Sequence, residues 1–258
     1  MRAVLLDLYD TLVWADWVAL RSGRDRLAER AGVEVAVARE QWAQTHDRRM
    51  RGLNSGLEGD LAAVFEACGV ATTPDLLRAL AAEEYANWAG GVRPYEDVAP
   101  ELQRLRVAGY RLAIVSNASC EAGGVVASLG LDRLVDSVVL SCDVGWLKPE
   151  PAILEAALER LGSRPEHALL VDDLPTNLDA AARLGMHTVL MARPGGRTVP
   201  PTDSPHPSTR GDHKPSAQTN SPPRRVQRGT APPGAAAAAE GGGHARIGGL
   251  ADLWALLG

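Results

Sequence analysis

Cysteine is scarce in this chain. The three in 258 residues, Cys68, Cys120 and Cys142, lie far apart with no C-x-x-C spacing. That excludes a disulfide framework or a multi-thiolate zinc site and reads as reduced, idle thiols. Long apolar runs are also missing, since no uncharged stretch approaches the roughly 18 residues of a transmembrane helix. The first apolar run is interrupted by Asp7 and Asp10 and has no small-residue cleavage site after it, so no signal peptide is expected. Positive charge is not in excess: the formal charge is −5 and the pI about 5.7. A nucleic-acid or anionic-membrane surface is therefore not expected. These absences predict a cytoplasmic protein without membrane or nucleic-acid partners.

A hydrophobic content of 45% is enough for a sizeable core. Short continuous apolar runs recur at 2–8 (RAVLLDL), 111–117 (RLAIVSN), 134–141, 168–173 (ALLVDD) and 187–192. Such runs mark strands buried on both faces of a parallel sheet. Helical patterns lie between them at 101–109, 151–162 and 178–185. The middle one opens with Pro151, suited to a first helical turn, and the first two close on glycines suited to C-caps. The alternation predicts an α/β fold, a doubly wound parallel sheet. Between 14 and 90 the strand runs stop and four amphipathic segments follow, so a helical module is expected to be inserted after the first strand. The sheet domain is then 1–13 with 91–194.

From 195 to 243 the composition changes. The tract holds nine of the 17 prolines and eight of the 26 glycines, with almost nothing to bury, and is expected to be disordered. Six basic against three acidic residues leave open a basic tether for an acidic partner. Residues 247–257 (IGGLADLWALL) read as an amphipathic helix within a last core segment, 244–258.

Ligands of open parallel sheets bind beyond the carboxyl ends of the strands. Four predicted strand or helix edges deliver polar groups there: Asp7, Tyr9, Asp10 and Thr11; Ser116 and Asn117; Lys148 in GWLKPEP; and Asp172 and Asp173 in VDDLPTN. Two acidic clusters, a lysine and hydroxyls on one edge suit a hard divalent cation carrying a phosphate. Taken alone, Asp7 could cap a strand-end turn, Ser116–Asn117 could open an ordinary loop, and Lys148 could be a solvated turn residue. His46 with Arg48, Arg49 and Arg51 could greet an anionic substrate or form a solvated helix face. Trp14, Trp17, Trp42 and Trp88 read as packing for the helical module, with Trp14 and Trp17 placed where they could line a pocket. His206, His213 and His244 form no metal-site pattern.

DLYDT, SN, KPEP and VDDLPTN, in that order, resemble the motif set of the haloacid dehalogenase (HAD) superfamily, in the subfamily with a helical cap after the first strand. The resemblance covers about 1–194 and the C-terminal segment. It implies a magnesium-dependent phosphatase acting on a small phosphorylated metabolite through an aspartyl-phosphate intermediate. Asp7 would be the nucleophile, Thr11 and Ser116 would bond the reacting region with Asn117 beside them, and Lys148 would neutralise charge. Magnesium would sit among Asp7, the Tyr9 carbonyl and Asp173, which the family register with Asn177 and Gly185 prefers over Asp172. Asp10, Asp172 and Asn177 would support these groups from behind. One position departs: where HAD phosphatases usually carry an aspartate that protonates the leaving oxygen, this chain has Tyr9, a weak acid with a pKa near 10. Tyrosine there is found in the superfamily's 2-haloacid dehalogenases, so a dehalogenase-like hydrolase is one alternative. A catalytically weak phosphate-binding relative is another.

Overall fold

The computed structural model describes residues 2–194 and 243–257. The tract expected to be disordered lies, but for Gly243, outside the described residues. The chain opens with β1 (Ala3–Leu6) and turns into β2 (Val13–Ala15). Five helices follow: α1 (Trp17–Arg30), α2 (Val35–Gln44), α3 (His46–Met50), α4 (Leu57–Ala67) and α5 (Pro74–Gly91). β3 (Val92–Pro94) then pairs antiparallel with β2, so the chain leaves and re-enters the sheet domain through a two-stranded ribbon that the sequence patterns had not indicated.

The rest alternates: α6 (Val98–Val107), β4 (Arg111–Ser116), α7 (Ala122–Ser128), β5 (Ser137–Leu140), α8 (Ser141–Val144), α9 (Pro151–Leu161), β6 (Ala168–Asp172), α10 (Pro175–Arg183) and β7 (His187–Met191). After the undescribed tract come β8 (Ala245–Ile247) and a last turn, α11 (Trp254–Leu257). Six strands form one sheet in the order β5-β4-β1-β6-β7-β8, all parallel. β1 lies inside it, with Ala3 opposite both Arg111 and Ala168.

Alternation along β1 explains why its sequence is apolar throughout. Val4 and Leu6 join one core with Leu102, Leu105, Leu112 and Leu250; Ala3 and Leu5 join the opposite core with Ile153, Leu158, Leu170 and Leu178. The fold is therefore the expected α/β sheet with helices on both faces. The cap helices bury a core of their own around Phe65, Leu61, Val64, Leu27 and Leu80. No helix among the described residues is long and apolar enough to cross a membrane.

The helix expected over 247–257 is corrected. Ile247 ends a strand on β7, and Ala192 N–H donates to its carbonyl at 2.8 Å. Two glycines then break the helical pattern. The Asp252 carboxylate accepts from Gly248 N–H and Gly249 N–H at 2.9 and 3.1 Å, which starts a 3-10 turn only at Leu250.

Candidate active site

β1 ends at Leu6, and Asp7 N–H still donates to Val171 O of β6 at 2.9 Å. The Asp7 carboxylate therefore emerges at the carboxyl edge between β4 and β6. The turn after it closes by Asp10 N–H to Val13 O (2.8 Å) and by Leu12 and Val13 N–H to Leu8 O (2.8 and 2.9 Å). These bonds leave the Tyr9 carbonyl outside them. Asp10 sits at φ 58°, the left-handed region that glycine adopts freely and aspartate tolerates better than most residues.

Lys148 stands at the centre. Its Nζ donates to Asp7 Oδ1 at 2.5 Å and to Asp172 Oδ2 at 2.7 Å, with all three side chains buried. Burial alone would lower the ammonium's pKa, but Asp172 and Asp7 raise it, so the lysine is firmly cationic. Burial pushes the Asp7 carboxyl up to about 6, with Asp172 adding to the rise and Lys148 opposing it. The Lys148 ammonium bonded to Asp7 Oδ1 favours the ionised carboxylate. Asn117 holds the lysine's backbone from both sides, accepting from Lys148 N–H at 2.7 Å and donating to Lys148 O at 2.8 Å. Both ends of its amide are thus engaged by the Lys148 backbone.

Asp172 is fully engaged: besides Lys148 it accepts from Leu174 N–H and from the Asn177 amide at 2.9–3.1 Å. Asp173, partly exposed, completes a cluster in which carboxylate oxygens of Asp7, Asp172 and Asp173 lie within 4.8 Å of one another. An all-oxygen donor set of this kind fits a hard cation such as magnesium. Thr11 is fully buried and its Oγ1 has no partner, while its carbonyl accepts from Arg193 Nε and Nη2 at 3.0 and 2.9 Å. Ser116, the last residue of β4, is buried beside β1. The sequence-derived residues thus converge on one edge.

Tyr9 faces the cap. Its ring lies 5.7 Å from Trp17 and 5.6 Å from Trp88, and burial, then Glu121 and Asp7, push its phenol further above its ordinary pKa. It is a poorer acid here than in water. Trp14, by contrast, is largely exposed on the ribbon, and Trp42 packs edge-on against Phe65. The basic stretch divides: Arg49 is buried against Trp42, and Arg51 reaches the sheet domain, bonding Glu150 and Gly145 O. His244 bonds Thr188 and Asp179 away from this edge.

Sequence reasoning missed several groups. Arg193 ties the turn after β1 to Asp97, which it holds at 2.8 Å. Within the cap Arg24 Nε donates to Glu84 at 2.8 Å, and the charge of the buried Glu121 acts on Arg24. Glu84 and Trp88 are four apart in a helical stretch, a spacing that could have flagged them, and Trp88 Nε1 donates to Glu84 at 2.9 Å.

A family model described as haloacid dehalogenase-like hydrolase matches residues 1–185. Glyceraldehyde 3-phosphate phosphatase of Methanopyrus kandleri is 29% identical over 197 residues, 75% of this chain and 84% of that one. (S)-2-haloacid dehalogenase 4A of Burkholderia cepacia is 35% identical over 102 residues, 39% of this chain and 44% of that one. The crystal structure of a HAD phosphatase from Thermococcus onnurineus superposes with a TM-score of 0.61 at 23% identity, covering 100% of this chain and 98% of that one, a likeness of fold.

Proposed function

This chain belongs to the haloacid dehalogenase-like hydrolases, and on that premise we propose that it is a magnesium-dependent phosphatase of small phosphate monoesters. The observation that carries the reading is the buried triad of Asp7, Lys148 and Asp172 with Asp173 beside it. Asp7, at the end of a buried strand and ionised, attacks phosphorus, and the alcohol leaves with the bonding electrons and takes up a proton. Water then cleaves the aspartyl phosphate, which returns the carboxylate and releases inorganic phosphate. Lys148 fixes the nucleophile and offsets charge as the phosphoryl group arrives, while Asn117 fixes Lys148. The unpartnered Thr11 Oγ1 is available to the reacting group. Asp7, the Tyr9 carbonyl and Asp173 would hold magnesium, which when bound supplies further positive charge at the phosphoryl oxygens. Asp172, saturated by its own bonds, orients Lys148 and Asn177.

Tyr9 and the partial match to a 2-haloacid dehalogenase favour a second reading, halide displacement at carbon. The clustered carboxylates oppose it, because a haloacid's own carboxylate would be repelled there. Assays of the purified protein on p-nitrophenyl phosphate and on 2-chloropropionate, with magnesium or with EDTA, separate the two. Phosphate release abolished by EDTA is expected; halide release indifferent to EDTA would replace the phosphatase by the dehalogenase.

A further inference from the structure

Lys148 is delivered by a loop, 145–150, that belongs neither to the sheet nor to a helix. The loop leaves α8 at Gly145, at φ 79°, and closes on itself through one residue. Glu150 N–H donates to Leu147 O at 2.7 Å, and Leu147 N–H donates to Glu150 Oε2 at 3.2 Å. Lys148 stands inside the turn so formed. Asn117 holds the lysine's backbone from the β4 side, and Glu150 holds the turn from the other.

Glu150 is itself held from the cap. Arg51, the residue after α3, sets Nη2 on Oε1 at 2.5 Å and Nη1 on Oε2 at 3.1 Å, and Nη1 also donates to Gly145 O at 2.9 Å. One guanidinium thus reaches the start and the end of the loop. The backbone on either side of Arg51 is pinned to the sheet domain. Met50 O accepts from Ser141 Oγ at 2.7 Å, and at Gly52 the Cys142 carbonyl fills the space of a Cβ. Ser141 Oγ in turn accepts from Ala118 N–H at 2.9 Å, one residue beyond Asn117. The end of α3 therefore touches both segments that meet at Lys148.

Stability does not account for this contact. The Arg51 and Glu150 side chains are 25% and 37% exposed, and an ion pair so open contributes little. Its geometry is that of a positioning contact, because a planar fork fixes a carboxylate in direction as well as in distance. The line from cap to nucleophile is continuous: Arg51 to Glu150, Glu150 to Leu147 N–H, Leu147 to its neighbour Lys148, and Lys148 Nζ to Asp7. We propose that Arg51 is a positioning residue for phosphoryl transfer: with the cap seated, it clamps Glu150 and so sets the turn that holds the Lys148 ammonium on Asp7. Glu150 is its partner in that role. The inference rests on the phosphatase reading.

The test is turnover of p-nitrophenyl phosphate with magnesium by the parent, Arg51→Ala, Glu150→Gln and the double variant, each shown to be folded by its melting transition. In Arg51→Ala kcat should fall about tenfold with KM within about twofold, since the lysine acts as the phosphoryl group transfers. Glu150→Gln keeps an acceptor for Leu147 N–H and loses the charged fork. Its kcat should fall about threefold or more, and it carries the test should Arg51→Ala fail to fold. The double variant should be no slower than Arg51→Ala, because the two side chains act as one unit. Amide exchange over 145–150 should quicken in the variants, with β1 and β6 unchanged. An unchanged kcat, a rise in KM with kcat kept, losses that multiply in the double variant, or a loop that exchanges as in the parent overturns the inference alone. Absence of turnover by the parent overturns the phosphatase reading and the inference with it.

Discussion

Of the 27 basic residues in the chain, only Lys148 and Lys214 are lysines, and Lys148 is the one whose ammonium stands between Asp7 and Asp172. A compact point charge suits that gap; the planar fork of arginine does not. Removing the charge in Lys148→Met leaves two buried carboxylates facing each other. The cost should be about 3–5 kcal/mol at pH 8 by urea denaturation in EDTA. The sign of its pH dependence follows from the carboxyls. Without the ammonium that lowers it, the folded pKa of Asp7 rises further above its unfolded value, so ionisation of Asp7 opposes folding more in the variant; the loss is smallest near pH 4 and grows as pH rises through the folded value. A loss that shrinks toward pH 8 would contradict the account. Asp60 obeys the same rule in the native chain, since burial raises its pKa to about 6 from 3.8. Asp60→Asn should therefore gain stability over the parent as pH rises from 4 to above 6, read from melting temperatures across that range.

At the scale of elements, the cap meets the sheet domain where α3 reaches α8. Ser141 Oγ donates to Met50 O at 2.7 Å, and Arg51 pairs with Glu150 at 2.5 Å. Gly52 follows, at φ 66°, with the Cys142 carbonyl where a Cβ would stand. Gly52→Ala should cost about 1–3 kcal/mol through the left-handed backbone alone and should undock this seam. Faster hydrogen exchange over 48–57, with β1 and β6 unchanged, is the expected sign; equal loss of protection throughout would mean that the seam is not a separate unit. Buried strands and their motif edges were legible in the sequence because apolar runs and polar ends are local signals. β2, β3 and β8 were not, each having three residues, too short for a period to show. Residues 250–257 carry helical spacing, which extended the apparent helix back over the Gly248–Gly249 break.

Across the whole molecule, the ends of the chain are joined at one point. Arg193 holds Asp97 and the Thr11 carbonyl, and Asp97 also accepts from Leu250 N–H at 2.7 Å. Residues 97, 193 and 250 are far apart in sequence, so nothing local announces their meeting; the same holds for Arg24 and Glu84 within the cap. Arg193→Ala removes the bonds to the half-buried Asp97 and to the Thr11 carbonyl while Asp97 keeps Leu250 N–H, and should cost about 1–3 kcal/mol, seen as a lower melting temperature. The four sequence motifs, by contrast, could be read in order because each sits at a strand or helix edge that the sheet brings to one side. Asp7 stands on that side with Lys148, Asp172 and Asp173 around it, and the proposed reaction requires that its carboxylate take the phosphoryl group.

The direct test is to mix the protein with p-nitrophenyl phosphate and magnesium, quench in acid within a turnover, and weigh the peptide that contains Asp7. The added mass of one phosphoryl group on Asp7 is the expected result, absent in Asp7→Asn, whose turnover should fall by at least about 10⁴-fold. Phosphate release at full rate from Asp7→Asn, or a phosphoryl group found on another residue, would contradict it.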